Sequence, residues 1–256
     1  MRLDKYLQEM GFFPSREKAS QAIKEERVLV DNKICQKPSF DVQNQTVNVL
    51  KEKEYVSRGA YKLLKAVETF DIDFKEKTVL DIGSSTGGFT QVALEKGAKK
   101  VYALDVGKDE LAPILRQNSN VVSYENTDFR EVDKTLLTDV EIVIGDVSFI
   151  SLRHIFPKIK QLFGAIEIVM LFKPQFECGN EIARKYKGVI KNRAIHKKLL
   201  KDFIEYIKGL GFIVSGLTFS SIKGKSGNIE YLFHLNSKTI KPFNVDLIVD
   251  NAFEME

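Results

Sequence analysis

VLDIGSSTGGFT, residues 79–90, joins a short apolar run to a glycine-rich turn and then to a helix-compatible segment. A strand buried on both faces reads this way, as a continuous apolar run with no polar alternation. Its glycines, Gly83, Gly87 and Gly88, are spaced G-x-x-x-G-G. A dinucleotide site would carry G-x-G-x-x-G, which brings backbone against a pyrophosphate at a helix N-terminus. Here Ser85 fills the second glycine position, so a pyrophosphate is less well served. No G-x-x-x-x-G-K-[ST] phosphate loop occurs in the chain.

Downstream of this turn, β and α signals alternate. KVYALDVG (100–107), VVSYEN (121–126), EIVIGDVS (141–148) and IEIVMLFKP (166–174) are further apolar runs of the buried parallel-strand kind. FIVSGLTFS (212–220) and IEYLFHL (229–235) follow. Helix candidates lie between the runs at 86–98, 109–118, 151–163 and 193–211. This alternation predicts a doubly wound α/β sheet over residues 58–237, with its ligand site at the C-terminal strand ends. Residues 238–256 have weak periodicity and an acidic end, and read as a loosely packed C-terminal tail.

Second-strand chemistry narrows the ligand. Asp105 lies 24 residues after Asp81, where an acid would accept hydrogen bonds from both hydroxyls of a ribose. That position serves a nucleoside cofactor without choosing between nicotinamide and methyl-donor types. Asp128, in ENTDFR after the third strand, is either a further cofactor contact or a helix cap.

Four polar residues, Lys62, Asp146, Lys173 and Glu230, lie in SRGAYKL, DVSFISL, KPQFE and GNIEYL, each at an end of an expected element. This Lys-Asp-Lys-Glu order around a cofactor turn resembles the FtsJ-like ribose 2′-O-methyltransferases, and the fold it implies is a Rossmann-like methyltransferase sheet. In that resemblance Lys173 deprotonates the ribose hydroxyl, Asp146 stands beside it, and Lys62 and Glu230 complete a polar ring. A lysine can take up a proton only from its neutral form, and the expectation is that two neighbouring lysines favour that form by mutual repulsion. The implied cofactor is S-adenosyl-L-methionine. Its contacts would be Asp81, Gly83, Ser85, Thr86, Gly87, Gly88, Phe89, Asp105, Val106, Asp128, Phe129 and Asp146, with Asp128 on the adenine amino group.

Residues 1–50 read as a separate small α+β unit. LDKYLQEMGF is helical with Gly11 as its stop, Ser15 caps SREKASQAIKEE, and RVLVDNKI folds back at Asp31-Asn32. TVNVL adds an alternating strand. Arg2, Leu3, Asp4, Ser15, Arg16, Ala19, Ile23, Val28, Val30 and Pro38 make the unit similar to the S4 RNA-binding domain. Glu26 stands where that family usually has Gly, and adds a negative charge. Residues 51–57, charged and free of Gly and Pro up to Ser57, read as a semi-stiff linker. With this unit in front, the chain resembles the TlyA-type (hemolysin A family) ribosomal RNA methyltransferases, which implies cytidine in ribosomal RNA, or whole ribosomal subunits, as substrate. The RNA contacts would be Arg2, Lys5, Ser15, Arg16, Lys18, Arg58, Arg184, Lys187, Lys191 and Arg193. SRGA in place of SRGG, and one glycine in KYKGVI, depart from the family pattern without touching the four polar residues.

Composition permits this reading without demanding it. Thirty-nine Lys+Arg against 35 Asp+Glu give a net charge of +4. Residues 182–201, however, hold eight basic residues and no acid, either a solvated face or a phosphate-contacting one. Cys35 and Cys178 form no CxxC pair, and His154, His196 and His234 lack metal-ligand spacing, so no metal is expected. The apolar stretch AIEIVMLF is too short to span a bilayer, and MRLDKYLQEM has no apolar core, so a cytoplasmic location is expected. The alternatives are a catalytically silent RNA-binding assembly factor, a membrane-active haemolysin and a small-molecule methyltransferase.

Overall fold

The computed structural model describes residues 1–24, 26–50, 54–236 and 241–254. It divides into two compact units, Met1–Glu54 and Tyr55–Glu256. Of the expected linker, residues 51–53 lie outside the described residues. Tyr55 and Val56 are part of the second unit instead: the Val56 N–H donates to Gln91 Oε1 at 2.8 Å and the Tyr55 hydroxyl to Glu95 at 3.2 Å.

In the N-terminal unit, α1 (Leu3–Glu9) and α2 (Arg16–Lys24) precede β1 (Val28–Val30), β2 (Lys33–Ile34) and β3 (Val47–Val49). The strand order is β2-β1-β3, all antiparallel. Leu3, Leu7, Ala19, Ala22, Ile23, Val28 and Val30 meet in its core. Ser15 Oγ accepts the Lys18 N–H at 3.3 Å, capping α2. Asp31 and Asn32 take φ of 49° and 61° in the two-residue turn, the backbone that matches strand twist in a tight hairpin. Glu26 has φ 61°, which explains why glycine suits that position: an L-residue in the left-handed region costs roughly 1 kcal/mol.

The second unit starts with α3 (Gly59–Phe70). It continues through β4 (Thr78–Ile82), α4 (Gly88–Glu95), β5 (Lys100–Leu104), α5 (Pro113–Arg116), β6 (Val121–Tyr124) and β7 (Ile142–Gly145). Then come α6 (Phe156–Phe163), β8 (Glu167–Phe172), α7 (Pro174–Glu177), α8 (Gly179–Lys185), α9 (Arg193–Gly209), β9 (Val214–Phe219), β10 (Tyr231–Leu235) and α10 (Val245–Phe253). The helix expected over 109–118 is confined to α5, because Pro113 sets its first turn.

Seven strands form one sheet in the order β6-β5-β4-β7-β8-β10-β9. The pairings from β6 through β8 are parallel, and β10 is antiparallel to both of its neighbours. Parallel neighbours need a long crossover. The connection from β9 to β10 contains no helix, so β10 returns antiparallel and fills the gap between β8 and β9. Strand periodicity splits the core. Leu80, Ile82, Met170, Phe172 and Phe233 pack under α6, α9 and α10, while Val79, Ile144, Val169 and Leu171 pack under α3 and α4. The order reverses beside β4, and a crevice opens where strands diverge from such a point.

The segment expected as a loose tail is corrected. Residues 238–240 and 255–256 lie outside the described residues, but α10 is a packed helix. Asn244 Oδ1 accepts the Leu247 N–H at 3.1 Å as its cap, and Val249 and Ala252 are fully buried. Its helicity comes from docking an apolar stripe, the usual source of stability for a short helix.

Candidate active site

Each of the four polar residues is delivered by the end of an element. Lys62 lies in the first turn of α3, on the face it shares with Leu63 and Ala66. Asp146 follows β7, and Lys173 follows β8. The antiparallel register pairs Tyr231 with Phe172, which places Glu230 beside Lys173. Gly145 precedes Asp146 because an added Cβ would stand 2.8 Å from Ile82 O.

Lys62 Nζ donates to Asp146 Oδ2 at 3.1 Å and forms an ion pair with Glu230 Oε2 at 2.8 Å. Lys173 Nζ stands 2.6 Å from Asp146 Oδ1 and donates to Ser148 Oγ, also at 2.6 Å. Lys62, Lys173 and Glu230 are 8%, 7% and 3% exposed. Burial alone would drive the Lys62 ammonium toward its neutral form, but Asp146 and then Glu230 outweigh it, and the group is held above its ordinary range. Burial likewise pushes Asp146 up, and Lys173 and Lys62 together overcome it, leaving the carboxyl below its ordinary range. The expectation of two mutually repelling lysines is therefore corrected for Lys62, which two carboxylates fix as a cation.

Asp146 also borders a cavity of about 780 Å³ beyond the ends of β4, β5 and β7. Gly83, Ser85, Asp105, Val106, Asp128 and Phe129, all expected cofactor contacts, line it. Asp105 accepts the Ser85 N–H on Oδ2 at 2.8 Å and the Gly107 N–H on Oδ1 at 2.7 Å, which ties the turn to the second strand. Asp128 caps a 3-10 turn by accepting the Arg130 N–H at 2.9 Å, and its carboxylate is forked by the Arg130 guanidinium. The other expected contacts do not line the cavity. Asp81, Gly87, Gly88 and Phe89 are buried and Thr86 is exposed away from it. An added Cβ at Gly88 would stand 2.9 Å from Ala60 N and nearer still to Ser57 Oγ, so this glycine admits the start of α3. Asp81 accepts from Thr90 Oγ1 at 2.7 Å, while burial pushes its carboxyl up to about 7.

Several residues were missed. Ser148 bonds the Lys173 amine. Phe149 lines the cavity, is 91% exposed and has φ 64°. A bulky residue held at positive φ with its ring in solvent is strained, and such strain concentrates at functional sites. Glu110, which accepts from Ser85 Oγ at 3.0 Å, lines the cavity as well. Asn228 ties the loop before Glu230 to residues 188–190, with Oδ1 accepting the Ile190 N–H at 3.0 Å and Nδ2 donating to Gly188 O at 2.8 Å. These residues carry no catalytic signal of their own; for Ser148, Phe149 and Asn228 the only cue was their presence inside the DVSFISL and GNIEYL segments, and Glu110 had none. His196 Nε2 bonds the Ile190 carbonyl at 2.9 Å and its Nδ1 bonds the Tyr231 hydroxyl at 2.7 Å, a buried structural histidine pushed down to about 4 by burial. Among the described residues no His, Cys, Asp and Glu group could hold a metal.

The expected RNA contacts divide. In the N-terminal unit, Asp4 holds Arg2 at 2.9 Å and Arg16 at 3.0 Å, with both guanidiniums half exposed. Lys5 pairs with Glu9, and Lys18 is exposed. In the second unit, Arg58 donates to Lys223 O at 3.0 Å. Arg184, Lys187 and Lys191 are exposed and carry no acid partner among the described residues. Arg193 does not join them. It pairs with Glu254 at 2.6 Å and Asp250 at 3.8 Å, while Lys197 meets Asp250 and Lys201 meets Asp246 at 2.9 Å each. Two acids of α10, with Glu254 just beyond it, thus pair with three of the eight basic residues of 182–201, so that part of the stretch is a paired helix face.

An FtsJ-like methyltransferase model matches residues 55–237, and an S4 domain model matches residues 1–48. The 23S rRNA (cytidine-2′-O)-methyltransferase TlyA of Campylobacter jejuni is 41% identical over 240 residues, spanning 86% of this chain and 93% of that protein. Hemolysin A of Brachyspira hyodysenteriae is 40% identical over 238 residues, spanning 91% and 99%. A solved structure, "Putative hemolysin from Streptococcus thermophilus", superposes with a TM-score of 0.73 at 35% identity, covering 100% of this chain and 96% of its own. Among the described residues no helix is long and apolar enough to cross a membrane.

Proposed function

The chain belongs to the FtsJ-like methyltransferase family and carries an S4 domain at its N-terminus, and from that premise we propose that it methylates the ribose 2′-hydroxyl of a cytidine in ribosomal RNA, in the cytoplasm, using S-adenosylmethionine. The observation that carries this reading is the Glu230-Lys62-Asp146-Lys173 chain of ion pairs, linked by contacts of 2.6–3.1 Å, whose Asp146 stands at the wall of the cavity. The cavity fits the cofactor: Asp105 and Glu110 present carboxylates suited to ribose hydroxyls, and Val106, Phe129 and Ile155 offer apolar walls to a base. Gly83, Ser85, Asp105, Val106, Asp128 and Phe129 would hold it.

Bound there, S-adenosylmethionine supplies a methyl group activated by a sulfonium. A ribose hydroxyl is a poor nucleophile at neutral pH and must lose its proton near the moment of attack. In its neutral form Lys173 Nζ would take that proton as the 2′-oxygen bonds to the methyl carbon and the carbon–sulfur bond breaks, with S-adenosylhomocysteine as the leaving group. Lys62 stays charged, balances Asp146 and Glu230, and leaves one Asp146 oxygen to orient Lys173. The outward ring of Phe149 supports a nucleic-acid substrate, because a flat exposed ring offers a stacking surface for a base. Arg2, Lys5, Ser15, Arg16 and Lys18 in the S4 domain, and Arg58, Arg184, Lys187 and Lys191 in the second unit, are the phosphate contacts of this reading.

The test is methyl transfer to ribosomal RNA by wild type and Lys173→Ala, with 2′-O-methylation mapped by nucleotide. Lys173→Ala should lose ~100-fold or more, the scale of a general base, while still binding S-adenosylhomocysteine. Lys173→Arg should not rescue, since guanidinium keeps its proton. Near wild-type transfer by Lys173→Ala would overturn the mechanism.

A further inference from the structure

KPQFE contributes more to the site than its lysine. Three of its side chains grip the DVSFISL segment in succession. Lys173 holds Asp146 and Ser148, the Phe176 ring lies 5.3 Å from that of Phe149, and Glu177 reaches Ser151 and Leu152. Among the described residues, no backbone N–H from Val147 to Ile150 donates to a backbone carbonyl. Side chains therefore set the shape of this stretch, which also forms one wall of the cavity.

Glu177 makes two of these contacts. Ser151 Oγ donates to its Oε2 at 2.6 Å, and the Leu152 N–H donates to its Oε1 at 2.7 Å. Ser151 Oγ in turn accepts the Arg153 N–H at 3.1 Å, at the start of a 3-10 turn over Leu152–His154. The carboxylate thus satisfies the free N–H end of that turn, where a negative group is favoured. We infer that Glu177 is a positioning residue for methyl transfer: it anchors the end of the 146–152 segment and so fixes where Asp146, Ser148 and Phe149 meet the substrate. The inference rests on the methyl-transfer reading above.

Glu177→Ala, Glu177→Gln, Ser151→Ala and the Glu177→Ala/Ser151→Ala double variant of the full chain test it, with S-adenosylmethionine and ribosomal RNA as substrates. Glu177→Ala should lower kcat ~10-fold or more, as expected when a catalytic group is misplaced by a fraction of an ångström, with RNA binding retained. Glu177→Gln should stay within about fivefold, the scale of one hydrogen bond, because the amide oxygen still accepts from Leu152 and the amide nitrogen can donate to Ser151 Oγ. The double variant should be no worse than Glu177→Ala, since both substitutions break one clamp.

A second readout is independent of turnover. The chain has no tryptophan, so Phe149→Trp installs a single indole on the segment. Its fluorescence anisotropy should fall when Glu177→Ala is added and hold with Glu177→Gln. The inference is overturned if Glu177→Ala leaves kcat within about twofold and anisotropy unchanged, or if the two single losses multiply. Should Glu177→Ala fail to fold, unchanged rate and anisotropy in Ser151→Ala overturn it equally. If the wild type methylates no ribosomal RNA, the functional reading falls, and the anisotropy series still decides whether Glu177 holds the segment.

Discussion

Replacing Lys62 with Met should destabilise the catalytic unit far more than its loss of hydrogen bonds suggests, because it strands Glu230. Asp146 would keep Lys173 at 2.6 Å. Glu230 is 3% exposed and pairs with no other cation among the described residues. A unit pair at 2.8 Å is worth roughly 6 kcal/mol at an effective dielectric of about 20. Removing the ammonium also removes its own burial cost, which brings the expected loss to the ~3–5 kcal/mol found when one partner of a buried pair is deleted. For a domain of this size, even 3 kcal/mol lowers Tm by roughly 6–12 °C. Lys62→Met/Glu230→Gln, which removes both charges at similar volume, should recover at least half of that loss. Thermal unfolding of the three proteins, followed by circular dichroism at pH 7, measures it. A Lys62→Met protein melting within about 2 °C of wild type, or a double variant less stable than the single, would refute the account of Glu230 as held by Lys62 alone.

Two further outcomes follow from named contacts. Asp105→Ala should weaken S-adenosylhomocysteine binding by about 1 kcal/mol or more, since it removes the proposed ribose acceptor and frees the N–H groups of Ser85 and Gly107; calorimetry giving unchanged affinity would contradict this. In the N-terminal unit, the hydrogen bond from Arg2 lowers the Asp4 carboxyl from 3.8 to about 2 against a smaller opposing effect of burial, with Arg16 adding to it. A depressed carboxyl stabilises the fold above its unfolded value and loses that contribution as pH falls through the folded one. Asp4→Asn should therefore be less stable than wild type at pH 7, with the gap closing between about pH 4 and pH 2. Urea unfolding read from NMR signals of residues 1–50 checks this, and a gap independent of pH would sink it.

Much of the second unit was legible because its central strands are buried on both faces. Runs such as VLDI and IVMLF announce themselves by composition, and Asp146, Lys173 and Glu230 stand out because each follows or precedes such a run, whereas Lys62 sits in the first turn of a helix. The direction of β10 was not legible, since an antiparallel buried strand has the same composition as a parallel one; only the helix-free connection before it decides. The partners of the basic stretch were hidden for a related reason. Arg193, Lys197 and Lys201 find their acids on α10 or just past its end, some 45 to 61 residues later, and a local charge count sees none of this. DLIVDNAF looks weakly periodic because only Val249 and Ala252 are fully buried. Ser148, Phe149 and Glu177 escaped notice because serine, phenylalanine and a second carboxylate acquire a role here only through what they touch.

The insertion of β10 between β8 and β9 bears on how the protein comes into being. As the chain leaves the ribosome, β4 to β8 and then α9 and β9 emerge before Glu230 and the strand that carries it. Until then β8 and β9 each offer an open edge to the gap, Lys62 has only Asp146, and the set of four is incomplete. The last strand to be synthesised closes the sheet and completes the site in one step. A chain that stops short of Glu230 therefore has the glycine turn, Lys62, Asp146 and Lys173 but not the fourth polar residue.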